Sequence, residues 1–376
     1  MKQGPFLHVP EGPADVERLW RQSALLDTSR LPSWLTPDDT DVYRLAAAVP
    51  IAALGDDERP AYLAARAELE DQGLVIETNG GVERFYLARP QRGDTWAIGI
   101  YRGPSPLELT PVSDNPVLTR DDVSDVAASN IADPFAIWLD GTWHLFFEVW
   151  NWRSNKGEVG HATSPDGVRW AYDRIVLAEP FHLSYPQVFV HAGDVYMIPE
   201  TFQAGAVRLY KARPFPNRWA FVAALIEGPY LVDASVFRHD SRWWMFVDAS
   251  SDQGHDTLRL YGANELTGPW REHPASPVVA GDPHNARPGG RVVAVGGRPI
   301  RFAQNCSPDY GMDVRAFLID ELTSTAHRER PVGRVVGPSG HGWNAAGMHH
   351  IDAHAVNGEW LAFVDGWQRP AAGDGP

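Results

Sequence analysis

Five stretches of the chain repeat one pattern of polar and apolar positions. Each begins with a polar residue, continues as an apolar strand, turns tightly, and returns as a second strand that is mostly rich in Trp or Phe. Each segment carries Gly, Asp-Gly, Asp-Ser or Asn-Gly near its middle, which is typical of β-hairpins. The pattern therefore predicts five hairpins, and they begin at Asp133, Tyr185, Asp233, Arg287 and His350.

A second two-stranded unit lies between successive hairpins. A further copy, WAIGIYRGPSPLELTPVSDNPVL, precedes the first hairpin, and the last hairpin has no such unit after it. Residues of about 96–118 can then complete the last sheet and leave no open edge. We therefore expect residues 94–376 to form an all-β five-bladed β-propeller closed by that early segment, in preference to an open β-sandwich.

The first 93 residues differ in pattern from the repeats. ADVERLWRQSALL and ERPAYLAARAELEDQG have helical periodicity, and LVIETNGGVERFYLA reads as a hairpin. We expect a small α+β domain over residues 1–93, resembling a winged helix. Glu68, Glu70 and Asp71 on the would-be recognition helix argue against DNA reading, so a packing module or a docking site for a protein partner is the better interpretation.

Composition narrows the function classes. The net charge of −15 argues against nucleic-acid binding, because neutralising phosphates needs clustered Lys and Arg. The single cysteine, Cys306, excludes an internal disulfide framework. The chain shows neither the apolar core of a signal peptide nor an apolar run long enough to cross a bilayer. We expect a cytoplasmic protein without membrane insertion.

The repeat also predicts a ring of polar side chains at one mouth of the propeller. The first strand of each blade lines the axis, and the second runs back beside it. The residue that opens the first strand should therefore face the residue that closes the second. This reasoning gives five pairs at one rim: Asp133 with Glu148, Tyr185 with Glu200, Asp233 with Asp248, Arg287 with Gln304, and His350 with Asp365.

Crowded carboxylates at such a rim indicate acid/base chemistry. Like charges raise one another's pKa, so that one carboxyl can hold a proton while another is ionised, as glycoside hydrolysis requires. In this scheme Asp133 is the general base, Glu200 is the first candidate for the general acid, and Asp233 orients the sugar. Arg287 could hold a hydroxyl or an anionic group. His182, Tyr185 and Trp152 are candidates for substrate contacts, with Glu148 and Gln304. The alternative is that some of these side chains only accept hydrogen bonds from neighbouring backbone N–H groups and so tie the blades together.

Two segments resemble the five-bladed glycosidases of family 43. IADPFAIWLDGTWHLFF is similar to their opening blade, and LVDASVFRHDSRWWMFV is similar to their third. The resemblance implies a propeller, a sugar-type ligand, and roles for Asp133 and Asp233. That family supplies its acid as a Glu on a later blade, whereas no Glu occurs here between Glu272 and Glu321. Either Glu200 or a histidine such as His350 replaces it, or ordinary hydrolysis is absent.

A closer resemblance comes from EPFHLSYPQVFVHAGDVYMIPET and GMHHIDAH. These segments look like the propeller domain of plant glucosamine inositolphosphorylceramide transferases and bacterial relatives. In the plant enzymes a separate glycosyltransferase domain follows, and a chain of 376 residues has no room for it, so we do not expect the transferase activity to carry over. No cofactor is required by this reading, although the glycosidase resemblance allows a cation on the axis near His350.

The sequence thus predicts a glycosidase-like enzyme that acts on a small-molecule or glycan substrate. Two alternatives stay open: a non-catalytic sugar-binding or scaffold propeller, and a biosynthetic transferase or lyase that uses the same pocket.

Overall fold

The computed structural model describes residues 43–50, 75–79, 82–88 and 95–369, except 113, 152–153 and 251–253, together with residues 56, 59, 60, 63 and 66. The chain divides into two compact units, Met1–Gly93 and Asp94–Pro376. No helix in this described part is long and apolar enough to cross a membrane.

The first unit contains a three-stranded antiparallel sheet in the order β1–β3–β2. Its strands are β1 (Tyr43–Pro50), β2 (Val75–Asn79) and β3 (Val82–Ala88). The two strands of the predicted hairpin are confirmed, because β2 pairs antiparallel with β3 from Val75 opposite Tyr86 to Asn79 opposite Val82. The predicted helix over residues 14–26 lies outside the described residues, as do Glu68, Glu70 and Asp71. The winged-helix-like arrangement and its docking role stay predictions.

The second unit is an all-β propeller of five four-stranded antiparallel sheets, which confirms the predicted fold. Blade 1 has β6 (Ala128–Leu139), β7 (Thr142–Asn151), β8 (Lys156–Ser164) and β9 (Ala171–Leu177). Blade 2 has β10 (Ser184–His191), β11 (Asp194–Glu200), β12 (Ala206–Ala212) and β13 (Trp219–Glu227). Blade 3 has β14 (Val232–His239), β15 (Arg242–Asp248), β16 (Leu258–Ala263) and β17 (Arg271–Glu272). Blade 4 has β18 (Val293–Val295), β19 (Arg298–Asn305), β20 (Asp313–Leu322) and β21 (His327–Val336). Short 3-10 helices span Arg120–Asp122, Phe202–Ala204 and Gly342–Asn344.

Blade 5 joins the two ends of the propeller. It combines β22 (Ile351–Val356) and β23 (Glu359–Gln368) with β4 (Thr95–Ser105) and β5 (Glu108–Pro111) from the start of the unit. Strand β23 pairs with β4 along nine residues, from Trp360 opposite Gly103 to Gln368 opposite Thr95. The predicted closure by the early segment is therefore confirmed.

The first two strands of every blade are joined by a two-residue turn with positive φ at both positions. This is the backbone of a type I′ turn, which matches the twist of the flanking strands. The turns are Asp140-Gly141, Ala192-Gly193, Asp240-Ser241, Gly296-Gly297 and Asn357-Gly358.

The core lies between the blades, with one apolar cluster at each of the five junctions. Between blades 1 and 2, for example, Phe135 and Phe146 pack with Val188 and Met197. Trp143, Trp243 and Trp244 are at most 6% exposed and belong to these clusters, as expected for packing residues.

A polar network also crosses the centre of the propeller. Asp352 of blade 5 is fully buried and receives the backbone N–H of Ala136 in blade 1 at 2.7 Å. Arg291, which precedes blade 4, donates from Nε to Asp352 at 2.6 Å and from Nη2 to the carbonyl of Val188 in blade 2 at 2.9 Å. Because it ties four blades together, this network holds the ring in place at its axis.

Candidate functional site

A cavity of about 270 Å³ opens at the end of the axis where the first strands of blades 1 and 2 begin. Its wall combines carboxylates, basic groups and aromatic rings. The lining residues are Trp96, Asn130, Ala132, Asp133, Glu148, Trp150, His182, Ser184, Glu200, Arg287, Tyr310 and His349.

The first strands of blades 1, 2 and 3 enter this mouth through β-bulges. Asp133, Tyr185 and Asp233 occupy equivalent bulge positions and have φ values of 55°, 45° and 52°. Positive φ is costly for residues other than glycine, so its recurrence at one position marks a constrained part of the fold. A bulge adds a residue to one strand and changes the direction of a side chain.

Because of these bulges, three of the five predicted pairs are wrong by one residue. Ala132, Ser184 and Val232, rather than the residues that follow them, lie opposite Glu148, Glu200 and Asp248. In blades 4 and 5 the predicted register holds. The backbone N–H of Gln304 donates to the carbonyl of Arg287 at 2.8 Å, and the N–H of His350 donates to Asp365 at 3.0 Å.

Asp133 is 5% exposed and has one oxygen without a partner. Its Oδ2 accepts the backbone N–H of Tyr185 at 3.2 Å, and its own N–H donates to Asp365 at 2.9 Å. Its Oδ1 is buried without a hydrogen-bond partner. Burial, together with the charges of Asp233 and Asp365, raises the pKa of Asp133 to about 7 against the opposing effect of His349.

His349 is the positive group beside Asp133. Its Nδ1 lies 2.8 Å from Oδ2 of Asp365 and 3.9 Å from Oδ1 of Asp133. The contact with Asp365 has the distance of an ion pair, although its geometry falls short of a hydrogen bond. Burial opposes the charge on His349, yet the carboxylates of Asp365 and Asp133 outweigh it and raise the pKa of the imidazole.

Glu200 and Glu148 complete a group of three acids. Glu200 is 5% exposed, and its Oε1 is buried without a hydrogen-bond partner. Burial and then the charge of Asp233 raise the pKa of Glu200 to about 8. Burial also raises the pKa of Glu148 well above its usual value, and the charges of Asp133 and Glu200 add to that effect. The three acids therefore influence one another's protonation.

Gly157 allows His182 to approach Glu148. A side chain at Gly157 would collide with the carbonyl of Leu183 and would come within 2.7 Å of both Glu148 and His182. The N–H of Gly157 donates to Nδ1 of His182 at 2.8 Å, which leaves Nε2 to carry the ring proton 3.7 Å from Glu148. Burial lowers the pKa of His182 to about 4, so this ring is a neutral donor facing the cavity.

Asp233 and Gln304 lie behind Arg287 and are not among the lining residues. Nε of Arg287 donates to Oδ2 of Asp233 at 2.6 Å, and Gln304 donates to the same oxygen at 2.7 Å. The ring of Tyr310 lies 5.0 Å from the Arg287 guanidinium carbon. Asp233 therefore does not contact the cavity itself and acts on it by positioning Arg287.

His350 and Tyr185 are buried inside the propeller and do not line the cavity, although Nδ1 of His350 lies 3.6 Å from Oδ1 of Asp133. The ring of His350 packs edge-on against Phe135 and Tyr185, with centroids 4.5 and 5.2 Å away, and burial lowers its pKa to about 4. The Tyr185 hydroxyl lies 2.7 Å from that of Ser235 and accepts the N–H of Gly290 at 2.6 Å. His349 rather than His350 lines the cavity. Trp152 lies outside the described residues.

Trp96, Asn130 and Tyr310 line the cavity and were not singled out from the sequence. Trp96 opens β4 and donates its N–H to the Asn130 side chain at 3.0 Å, and its ring lies 4.2 Å from that of His349. Trp96 and Asn130 precede the first repeat, and Tyr310 belongs to a loop of blade 4. The sequence pattern could have pointed to Trp96 alone, because the predicted closing strand begins there.

Asp133, His349 and Asp365 could each offer one ligand atom to a metal ion, with these atoms within 4.8 Å of one another. Asp365 also accepts the N–H groups of Asp133, His349 and His350. The cation that the glycosidase resemblance allows near His350 stays a prediction.

The fold and the cavity define a five-bladed propeller with a carboxylate-rich axial pocket. A glycosyl hydrolase from Bacteroides ovatus shares the fold with a TM-score of 0.51 at 10% identity, covering 70% of this chain and 94% of that one. The family profile described as "Glucosamine inositolphosphorylceramide transferase 1, N-terminal" matches residues 88–367. The chain belongs to this family, which confirms the closer of the two resemblances.

Two curated plant relatives show the extent of the match. Glucosamine inositolphosphorylceramide transferase 1 of Oryza sativa subsp. japonica is 36% identical over 307 residues, which cover 75% of this chain and 41% of the relative. The protein of the same name from Arabidopsis thaliana is 31% identical over 311 residues, covering 76% and 40%. The chain thus spans about two fifths of these relatives, and the region that the family profile matches contains the propeller.

Proposed function

We propose that the axial cavity binds a sugar unit of a glycoconjugate and acts on its glycosidic bond by acid/base catalysis. The observation that carries this proposal is a pair of carboxyl oxygens, Oδ1 of Asp133 and Oε1 of Glu200. Both are buried without a hydrogen-bond partner, and both belong to residues that line one cavity. Unpaired buried acids are costly in a fold, so their retention in a cavity indicates a ligand or a reaction.

The two acids suit opposite halves of the reaction. Glu200, with its pKa raised to about 8, holds a proton at neutral pH that it can give to the leaving oxygen. Asp133, with its pKa near 7, is partly ionised and can take the proton of an attacking water or acceptor hydroxyl. The imidazolium of His349 stabilises that ionised form.

Other lining residues fit the recognition of a sugar. The rings of Trp96, Trp150 and Tyr310 offer faces for stacking, and Glu148 and His182 offer polar contacts to hydroxyl groups. The choice between hydrolysis and transfer depends on whether water or an acceptor hydroxyl attacks, and the same residues serve either route. The transferase name of the plant relatives and the hydrolase fold neighbour are compatible with this chemistry.

The test is the Asp133→Asn variant, assayed with a panel of aryl glycosides and glycoconjugates. Loss of the general base should lower kcat by about 10²- to 10⁴-fold, with the melting temperature no lower than that of the wild type. Asp320→Asn on β20, which pairs with Arg298 and does not line the cavity, is the matched control. Wild-type turnover by Asp133→Asn would rule out the mechanism.

A non-catalytic sugar-binding role is the second candidate. It is favoured by blade 4, which presents Arg287 at the position where blades 1 and 3 have Asp133 and Asp233. Calorimetry that shows tight binding of a glycan, with no product formed by the wild-type protein, would support this role over catalysis.

A further inference from the structure

We infer that Arg287 binds an oxyanion carried by the sugar ligand, so that the cavity selects phosphorylated or carboxylated sugars over neutral ones. The inference rests on the proposed function and adds the chemical class of its ligand.

The Arg287 side chain is fixed in place before any ligand arrives. Its Nε is bonded to Asp233 at 2.6 Å, its Nη1 lies 3.2 Å from Nδ1 of His255, and Tyr310 covers one face of the guanidinium. The same Nδ1 lies 3.2 Å from Oδ2 of Asp248, so it can either accept from Arg287 or donate to Asp248, and His255 stays beside the guanidinium in both cases. Because little rotamer freedom is left to lose, a ligand that binds Arg287 avoids most of the entropy cost of ordering a long side chain.

One end of the guanidinium is still available. Nη2 of Arg287 makes no hydrogen bond to any residue in the described part of the chain, and the side chain keeps 11% exposure where it lines the cavity. The planar fork of an arginine matches a carboxylate or phosphate through parallel N–H···O bonds. A sugar hydroxyl uses only one of those donors.

The neighbouring acids can tolerate an anion. The fixed positive groups are balanced by fixed negative ones, Arg287 by Asp233 and His349 by Asp365. Burial raises the pKa of Glu148 and raises that of Glu200 to about 8, which favours their protonated forms, and a protonated carboxyl can donate an O–H to an oxyanion. A ligand oxyanion would therefore meet donors from Arg287 and from the protonated acids, and the partly ionised Asp133 is the negative group in the cavity that it must avoid.

The test measures binding rather than turnover. Calorimetry at pH 6.5 compares the 1-phosphates and the uronates of glucose, galactose and mannose with the neutral parent sugars, and includes inorganic phosphate alone. At least one anionic sugar should bind about 10- to 100-fold more tightly than its neutral parent. The phosphate and uronate arms show which oxyanion is preferred.

Three variants distinguish the effect of the Arg287 guanidinium on binding from the effect of a positive charge alone and from a loss of folding. Arg287→Lys keeps a cation beside Asp233 but loses the fork, and it should lose most of the preference. Arg287→Met combined with Asp233→Asn leaves no buried charge unpaired, and the affinity ratio should fall to about one. Arg330→Met, on an exposed ion pair of β21, is the matched control and should keep the full ratio.

Each remaining outcome overturns a defined part of the inference. Equal affinity for anionic and neutral sugars overturns the oxyanion subsite and leaves the proposed function standing. Inorganic phosphate that binds as tightly as the sugar phosphates shows an anion site without sugar recognition. If no sugar of either kind binds, the proposed function fails, and the inference fails with it.

Discussion

Glu200 shows how a functional position opposes stability. In the unfolded chain its carboxyl ionises near its usual pKa of 4.5, whereas the folded protein keeps it protonated up to about 8. Between these values the unfolded state binds fewer protons than the folded state. The free energy of unfolding therefore falls as pH rises from about 4.5 to 8 and levels off above that range.

Replacing Glu200 by Gln should remove this penalty. The amide does not titrate, so Glu200→Gln should gain stability relative to the wild type as pH rises, by on the order of a few kcal/mol between pH 5 and pH 8. Urea unfolding at both pH values measures the difference. The exposed Glu359→Gln on β23 serves as control and should show no such trend. An equal effect of Glu200→Gln at pH 5 and pH 8 would contradict the raised pKa.

The residues of the site were only partly predictable from the sequence. Asp133, Glu148, Glu200 and Arg287 could be assigned to the mouth because the repeat fixes which strand ends meet there. The choice between two adjacent histidines could not be made in this way. They precede β22, outside the alternating pattern of a strand, so side-chain direction there depends on the packing of the surrounding rings.

At the scale of elements, the sequence predicted all five hairpin turns. Two of these turns contain a residue that is unfavourable in the left-handed region of backbone conformation. Ala192 has a φ of 50° and Ser241 a φ of 64°, where the other turns place Gly, Asn or Asp. The left-handed region costs a residue with a Cβ about 1–2 kcal/mol, partly offset by the greater freedom of glycine in the unfolded chain.

Ser241→Gly should therefore stabilise the protein by about 0.5–1 kcal/mol, which corresponds to about 1–4 °C in melting temperature. Gly358→Ala is the reciprocal variant. Its φ is 86° and an added Cβ would meet nothing within 4 Å, so any loss of stability comes from the backbone alone. Differential scanning calorimetry of the two variants should show opposite shifts. Shifts of the same sign would contradict the turn assignment.

The β-bulges at the mouth were the element that the sequence did not reveal. Counting residues along a regular hairpin paired Asp133, Tyr185 and Asp233 with the closing acids, one position away from the observed register. A bulge leaves no composition signal when its extra residue is not glycine, and here the surrounding fold imposes the positive φ. The ring of strand ends could thus be predicted, while the direction of each side chain could not.

At the scale of the whole molecule, the network of Arg291 and Asp352 holds the blades around the axis. Arg291 and His354 keep the pKa of Asp352 below its usual range although the carboxyl is fully buried. Removing one partner of a buried ion pair leaves the other uncompensated, which is more damaging than removing both.

Asp352→Ala should lower the free energy of unfolding by about 3–5 kcal/mol, because the Arg291 guanidinium loses its counter-charge inside the ring. Asp320→Ala, which breaks contacts with the exposed side chains of Arg298 and Arg330, should lose less than about 1 kcal/mol. Chemical denaturation of both variants measures the two effects. The double change Arg291→Met with Asp352→Leu should recover much of the stability that Asp352→Ala loses. Similar losses for Asp352→Ala and Asp320→Ala would rule out a central role for the network of Arg291 and Asp352.

The seam in blade 5 determines how the propeller would respond to a pulling force. Thr95 and Gln368 lie opposite each other at one end of the β4–β23 ladder, so the chain enters and leaves the ring at the same point. Tension applied through these two residues would break the hydrogen-bonded pairs of the ladder one after another, starting at that end. It would not load all the pairs at the same time. The pairing that closes the ring is therefore the one that a force through its two ends would open first.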